Sequence, residues 1–206
     1  MFAKHMMTGL KSVIPTLTDV LLLEWINVMS HQVKLSKFLS LVLRHHPHAI
    51  GLSLDEGGWA DIGELMEKAG KAGVSLTLPL IQRIVATSDK QRFCLSPDGN
   101  SIRANQGHSV AVELGLEAME PPEHLYHATN KRNLASIRRE GIKRGKRNHV
   151  HLSADKDTAV GVGSRHAQKV VLVVQAAKMN REGIRFFQSE NGVWLSEYVA
   201  PEYLSE

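Results

Sequence analysis

From Val33 the apolar positions recur with helical spacing. Leu35, Phe38, Leu39 and Val42 fall at i, i+3, i+4 and i+7, while Lys37, Ser40 and Arg44 fall on the opposite side. Pro47 disfavours α backbone in the residue before it, so this helix is predicted to stop by His46. Arg44 and His45 then sit in its last turn, where basic side chains complement a helix C-terminus. "GGWADIGELMEKAG" predicts a second helix, with Asp61 as cap, Glu64 reaching back to it, Ile62, Leu65, Met66 and Ala69 facing inward, and Gly70 at the end. "TLPLIQRIVATSD" predicts a third, with Thr77 as cap and Pro79 in the first turn. "KQRFCLS" and "SIRA", joined by "PDGN", predict a hairpin carrying Lys90, Arg92 and Arg103. If Phe93 enters the core, alternation turns Arg92 outward.

Helices followed by a hairpin outline a winged helix over residues 31–108. Residues 109–123, which end in Pro121-Pro122, read as a linker. Beyond it the pattern changes to short strands alternating with short helices. "HLYHAT" and "HVHLS" are strand-like, "NLASIRREG" is a helix closed by Gly141, and "DKDTAVGVG" is another helix. "KVVLVVQA" is a buried strand, and "RFFQSENGVWLSEYV" is a hairpin turning near Asn191-Gly192. The fold class expected is α+β. Upstream, "LTDVLLLEWINVM" is apolar, but Asp19 and Glu24 interrupt it, and it falls short of the roughly 20 apolar residues of a membrane span. Residues 1–30 read as an extension outside the native domain, with Met29 a second candidate start.

Composition narrows the chemistry. One cysteine, Cys94, supports neither a disulfide framework nor a thiolate metal cluster and points to a cytoplasmic setting. In the apolar run "RFCLS" it reads as a buried, inert thiol. A net charge of +4 with eleven histidines gives a basic surface suited to nucleic acid. The basic and imidazole residues cluster: Arg44-His45, Arg92, His127 and Thr129 in "YHAT", and Arg147, His149 and His151 at alternate positions of "RNHVHLS". In an extended strand those three share one face, opposite Val150 and Leu152. Arginines drawn from separate elements suit a phosphate, whose oxygens match the guanidinium fork. A zinc site of His127, His149 and His151 is disfavoured, because Arg147 would repel a dication and no carboxylate stands beside them as base. No metal is expected.

Six blocks, "SKFLSLVLRHHPHAIGLSLDEGGWADI", "ATSDKQRF", "IRANQGHS", "LYHAT", "RNHVHLSAD" and "ENGVWL", resemble in order and spacing the RNA 2′-phosphotransferases. The resemblance runs from about Leu35 to the C-terminus. It implies a winged-helix-like RNA lobe followed by an ADP-ribosyltransferase-like, β-rich, NAD-binding lobe over residues 124–206. It implies NAD as co-substrate and 2′-phosphorylated, tRNA-like RNA as partner, with no obligatory protein partner. The phosphate would pass to NAD in two steps through an ADP-ribosylated RNA, giving RNA 2′-hydroxyl, nicotinamide and a cyclic phosphate of ADP-ribose, as in tRNA splicing. By the same resemblance Arg44, His45, Arg92 and Arg147 form the catalytic phosphate site. His127, Ala128 and Thr129, then His151 and Ser153, then Val193 form three NAD blocks. Val193 stands where many protein-modifying relatives carry a glutamate, and Glu190 is near enough for a supporting role. The first block departs from the usual His-Gly-Thr by Ala128, which implies weaker NAD binding at most. Two alternatives use the same residues: a transferase that caps terminal phosphates of nucleic acids with ADP-ribose, and an inactive RNA binder.

Overall fold

The computed structural model describes residues 17–162 and 168–205, with no side-chain description for 17–30 or Val162. Two compact units partition the chain, residues 1–37 and 38–206. Helix α1 (Leu17–Arg44) forms the described part of the first unit and ends inside the second. It therefore begins at least sixteen residues before the Val33 start read from periodicity. Leu35, Leu39 and Val42 of the apolar stripe are buried. Leu39, Val42 and Leu43 are fully buried, and the helix stops at Arg44, ahead of Pro47, as expected. The sequence reading of residues 1–16 lies outside the described residues.

A three-stranded antiparallel sheet follows, in the order β1 (Ala60–Asp61), β3 (Ser101–Ala104), β2 (Phe93–Leu95). Between β1 and β2 run helices α2 (Ile62–Lys71) and α3 (Leu78–Ala86). Asp61 caps α2, accepting from the Glu64 backbone N–H at 2.7 Å. Glu64 does not reach back; its carboxylate accepts from the Ser53 N–H at 3.3 Å instead. The helix runs through Gly70 and ends at Lys71, with the positive φ that terminates it (+78°) at Gly73. Thr77 occupies the cap of α3 without a side-chain bond, because Pro79 removes one of the two N–H groups a cap serves. Phe93 is buried on β2 and Ile102 on β3. Arg103 does not face solvent as a free hairpin cation; it is turned inward, as described below.

The remainder is built from small antiparallel sheets. One has the order β11 (Leu204–Ser205), β7 (Lys169–Val174), β4 (Leu125–Asn130), and another the order β6 (Val150–Leu152), β9 (Trp194–Ser196), β8 (Phe187–Gln188). Reciprocal backbone bonds between Tyr126 and Ser153, at 2.9 and 2.8 Å, link the β4 strand to the end of β6. A third pair joins β5 (Ile142–Lys143) to β10 (Tyr198–Val199). Helices α4 (Leu134–Glu140), α5 (Lys156–Val162) and α6 (Ala176–Arg181) fill the connections. Leu125, Ile142, Leu152, Val174, Met179, Phe186, Trp194 and Val199 share one apolar core. Cys94 is half-buried, and burial pushes its thiol up to about 11, which leaves it un-ionised. No described helix is long and apolar enough to cross a membrane.

Residues 109–123 carry no regular element beyond one bridge, Ala118 to Phe187, yet they are tied down on both sides. The Glu113 N–H donates to the Glu56 carbonyl at 2.7 Å and the Met119 N–H to the Phe186 carbonyl at 2.8 Å.

Gly141 closes α4 at φ +71° and ψ −174°, a region open essentially to glycine alone. A Cβ there would strike the Val199 carbonyl oxygen and lie 2.6 Å from the Tyr198 hydroxyl. Gly141→Ala is expected to cost about 3 kcal/mol or more. The check is the urea midpoint, which should fall with an unchanged slope.

Candidate active site

The end of α1 delivers Arg44 and His45 together. The Arg44 guanidinium lies 5.8 Å from the centroid of the Phe93 ring, and its Nη2 donates to the Arg92 carbonyl at 3.1 Å. Its own backbone carbonyl accepts from the N–H groups of Ser109 and Val110 at 2.9 and 3.4 Å. Burial, then repulsion by Arg92 and Arg147, brings Arg44 down to about 10. The bond to the Arg92 carbonyl brings the residue before β2 to the helix end, and His45 and Arg147 line one cleft. Arg44 and Arg92 are not among the lining residues of that cleft.

Arg92 is positioned by its backbone. Gln91 before it has φ +39°, unusual for a residue with a side chain. Asn105, itself buried, holds that conformation: its Nδ2 donates to the Gln91 carbonyl at 2.7 Å and its N–H to the Arg92 carbonyl at 3.0 Å.

The alternate-position reading of Arg147, His149 and His151 holds only in part. Strand β6 begins at Val150, and Arg147 and His149 lie in the bend before it. Asn148 pins that bend: its N–H donates to the His108 carbonyl at 3.0 Å and its Nδ2 to the Val110 carbonyl at 3.1 Å. These bonds use Asn148 up and keep it out of the sheet. All three side chains nevertheless line one cleft of about 490 Å³. Val150 and Leu152 point into the core, as alternation within the strand requires.

Hydrogen bonds select the tautomers of two histidines. His127, on β4, donates Nδ1–H to the His151 carbonyl at 3.0 Å, which leaves Nε2 as an acceptor. His151 Nδ1 accepts from Arg147 Nη1 at 2.5 Å, which leaves Nε2–H as a donor. Burial first, then Arg147 and Arg44, push His151 down to about 3. Burial also lowers His127, although its bond to the His151 carbonyl works the other way. His45 is lowered by burial, Arg44 and Arg147, and its Nδ1 shares a 3.0 Å hydrogen bond with the Ser109 hydroxyl. All three imidazoles are neutral near pH 7.

The cleft wall holds His45, His127, Arg147 and His151 from the sequence reading, and adds His46, Ser109, Lys143, Arg144 and Lys146. No carboxylate stands among these described lining residues. Other expected residues, Arg44 and Arg92 among them, are not part of this wall. Thr129 is buried, its hydroxyl accepting from Asn133 Nδ2 at 3.2 Å. Ser153 contributes its backbone to the bridge with Tyr126. Strand alternation places Ala128 on the opposite face of β4 from His127. The Val193 carbonyl accepts from the Ser189 N–H and hydroxyl, both at 3.0 Å, within the turn before β9. Glu190 is bound by Arg103 at 2.6 Å. Ser109 sat inside a quoted block, "IRANQGHS", but a lone serine gives no spacing signal. The lysines were hidden in the basic run ahead of Arg147. No cluster of three or more His, Cys, Asp or Glu able to hold a metal occurs among the described residues. Guanidiniums crowded beside neutral imidazoles form a pocket for an anion with several acceptor oxygens.

His108 lies behind the cleft, 1% exposed and with no partner for its Nε2. Burial and the nearby Arg44 hold it down to about 4. Between pH 6.5 and 4 the unfolded chain therefore takes up a proton that the folded chain refuses, and stability falls with pH across that window. His108 alone accounts for on the order of 3 kcal/mol. Unfolding measured from pH 7 to 4 should show this loss, and His108→Gln should flatten the slope whatever it does to stability at pH 7.

Over residues 30–198 the sequence matches the family described as RNA 2′-phosphotransferase, Tpt1 / KptA family. A protein of Flavobacterium johnsoniae named "Probable RNA 2′-phosphotransferase" is 52% identical over 170 residues, which are 82% of this chain and 93% of that protein. Proteins of the same name from Agrobacterium fabrum and Escherichia coli O9:H4 are 52% and 53% identical over 170 residues, covering 82% of this chain and 91% and 92% of theirs.

Proposed function

Since the chain belongs to the RNA 2′-phosphotransferase family, we propose that it moves an internal RNA 2′-phosphate onto NAD in two steps. In the first, a phosphate oxygen bonds to the anomeric carbon of the nicotinamide ribose, and nicotinamide leaves with the electrons of the broken C–N bond. In the second, the neighbouring ribose hydroxyl bonds to phosphorus, the bond to the RNA 2′-oxygen breaks, and that oxygen takes up a proton. The products are RNA 2′-hydroxyl, nicotinamide and ADP-ribose 1″,2″-cyclic phosphate. Within this proposal residues 31–108 form the winged-helix-like, RNA-binding lobe and 124–206 the ADP-ribosyltransferase-like lobe that takes NAD, in a cytoplasmic enzyme acting on tRNA-like RNA.

The observation that chiefly supports the reading is a cleft lined by Arg144, Arg147, His45, His127 and His151 and by no carboxylate, with the Arg44 guanidinium bonded to the Arg92 carbonyl at the adjoining helix end. Like charges repel, and a bound phosphate dianion relieves the repulsion. The phosphate is already anionic, so the first step needs placement rather than a strong base. The second step gathers charge on phosphorus, where Arg92 and Arg147 stabilise it. His45 is neutral and held at Nδ1 by Ser109, so its Nε2 is available to pass the proton between hydroxyl and leaving oxygen. His127 Nε2 as acceptor and His151 Nε2–H as donor suit the hydroxyls of a ribose. His127 fits the dinucleotide through these atoms, whereas Thr129, Ser153 and Val193 serve as its frame.

Incubating 2′-phosphorylated RNA with NAD should release RNA 2′-hydroxyl and nicotinamide. Arg92→Ala and Arg147→Ala should slow the second step by about 10²-fold or more, so that ADP-ribosylated RNA accumulates. Persistence of that adduct with the wild type would favour capping, and no reaction would favour an RNA binder. Because alternation turns Ala128 away from His127, Ala128→Gly should leave NAD affinity within about threefold, as read by titration.

A further inference from the structure

We propose that Arg103 and Glu190 are a positioning pair that fixes the turn 189–193 against the strand pair bearing Arg92, so that the phosphate-binding and dinucleotide-binding halves of the site are set relative to one another. The inference rests on the phosphotransfer reading above and assigns no catalytic contact to either residue.

Arg103 lies on β3, directly opposite Cys94 of β2. Its side chain is 13% exposed, while that of its partner Glu190 is 50% exposed. The guanidinium lies 4.5 Å from the centroid of the Trp59 ring, and Nη1 donates to the Leu114 carbonyl at 3.5 Å. Nη2 donates to Glu190 at 2.6 Å, across 87 positions of sequence. A second tie runs parallel: Asn191 Nδ2 donates to the Lys90 carbonyl at 2.9 Å. Both ties leave consecutive residues of one turn; one ends on Lys90, two residues before Arg92, and the other on β3, which pairs with β2 directly after Arg92.

The turn itself is stiff. Ser189 is buried, and its hydroxyl bonds to Asn191 at 2.8 Å and to the Val193 carbonyl at 3.0 Å, while the Gly192 N–H donates back to the Ser189 carbonyl at 2.8 Å. A stiff turn docked at two points transmits position. It leads into β9, whose central residue Leu195 pairs with His151 of the cleft wall. One path from the Arg92 segment to His151 therefore runs through this turn and its ties at Glu190 and Asn191. A buried-side arginine stacked on tryptophan can hold one carboxylate in one geometry, whereas the exposed ion pair Lys71–Glu67 cannot.

A positioning role predicts a particular kinetic pattern. Reaction requires the RNA phosphate and the nicotinamide ribose to be in line, and small misplacements cost far more rate than affinity. Glu190→Gln should lower kcat about tenfold or more, with KM for NAD and for 2′-phosphorylated RNA changed by less than about threefold. Arg103→Met, which keeps apolar contact with Trp59, should do the same. The double variant should be no slower than the slower single, because both act through one interaction. Turnover by the wild-type enzyme on 2′-phosphorylated RNA with NAD is measured first; its absence would defeat the phosphotransfer reading itself. With turnover established, unchanged kcat in Glu190→Gln, or additive losses in the double variant, would overturn the positioning role. A fall in melting temperature with kcat per folded enzyme intact would overturn it too, leaving the pair merely structural.

Discussion

Keeping three guanidiniums in one neighbourhood is the demand around which the second unit is organised. Like charges drive each other apart, and burial first, then repulsion by Arg92 and Arg147, brings Arg44 down to about 10. The framework resists through the backbone. Arg44 is anchored at both ends, its carbonyl by Ser109 and Val110 and its guanidinium by the Arg92 carbonyl and the Phe93 face. Arg92 is anchored by Asn105, and the bend before His151 by the His108 and Val110 carbonyls. A single short segment, residues 105–110, supplies the partners of the Arg44 carbonyl, the Gln91 and Arg92 carbonyls and Asn148, leaving only the Arg44 guanidinium to Arg92 and Phe93. A resting site held in electrostatic tension by its own backbone is preorganised for an anion: little has to move when the charge arrives, and binding releases repulsion instead of demanding order.

The histidines follow from the same tension. Partly out of water and beside Arg147, an imidazole holds a second proton less readily, and burial first, then the neighbouring guanidiniums, lowers His45, His127 and His151. Neutral rings have distinct nitrogens, so each can be read. His127 keeps an acceptor free because its donor is used, and His151 keeps a donor free because its acceptor is used. Burial and the neighbouring guanidiniums together keep these rings neutral, and the cleft offers cationic side chains and neutral hydrogen-bonding groups in adjacent places.

Much of this was legible in the chain and some was not. Helix ends at Pro47 and Gly141, the Asp61 cap, and the hairpins about "PDGN" and Asn191-Gly192 are local, and local chemistry writes them plainly. Binary pattern found Leu39, Val42, Phe93, Val150 and Leu152 in the core. What sequence could not give is pairing at a distance. Arg103 reads as one more exposed hairpin cation until Trp59, Leu114 and Glu190 are seen around it. The bend at Arg147 reads as strand because nothing nearby announces that Asn148 is claimed by His108 and Val110. Ser109 was invisible because a hydroxyl acquires meaning only from the ring it meets. Two-residue strands such as β1, β5 and β10 are below the length at which alternation can be recognised.

The residues that mattered without touching the cleft share a property. Thr129, Ser153 and Val193 fall within blocks by which the chain resembles its family, yet the hydrogen bonds they make go to the frame: the Thr129 hydroxyl to Asn133, the Ser153 backbone to Tyr126, the Val193 carbonyl to Ser189. A resemblance in blocks marks where a sequence is constrained, not whether the constraint is contact or support. Distinguishing the two requires knowing what each polar atom is bonded to. An atom already satisfied by the protein has little left to offer a substrate, whereas one left open toward the cleft, such as His127 Nε2, has no other evident purpose.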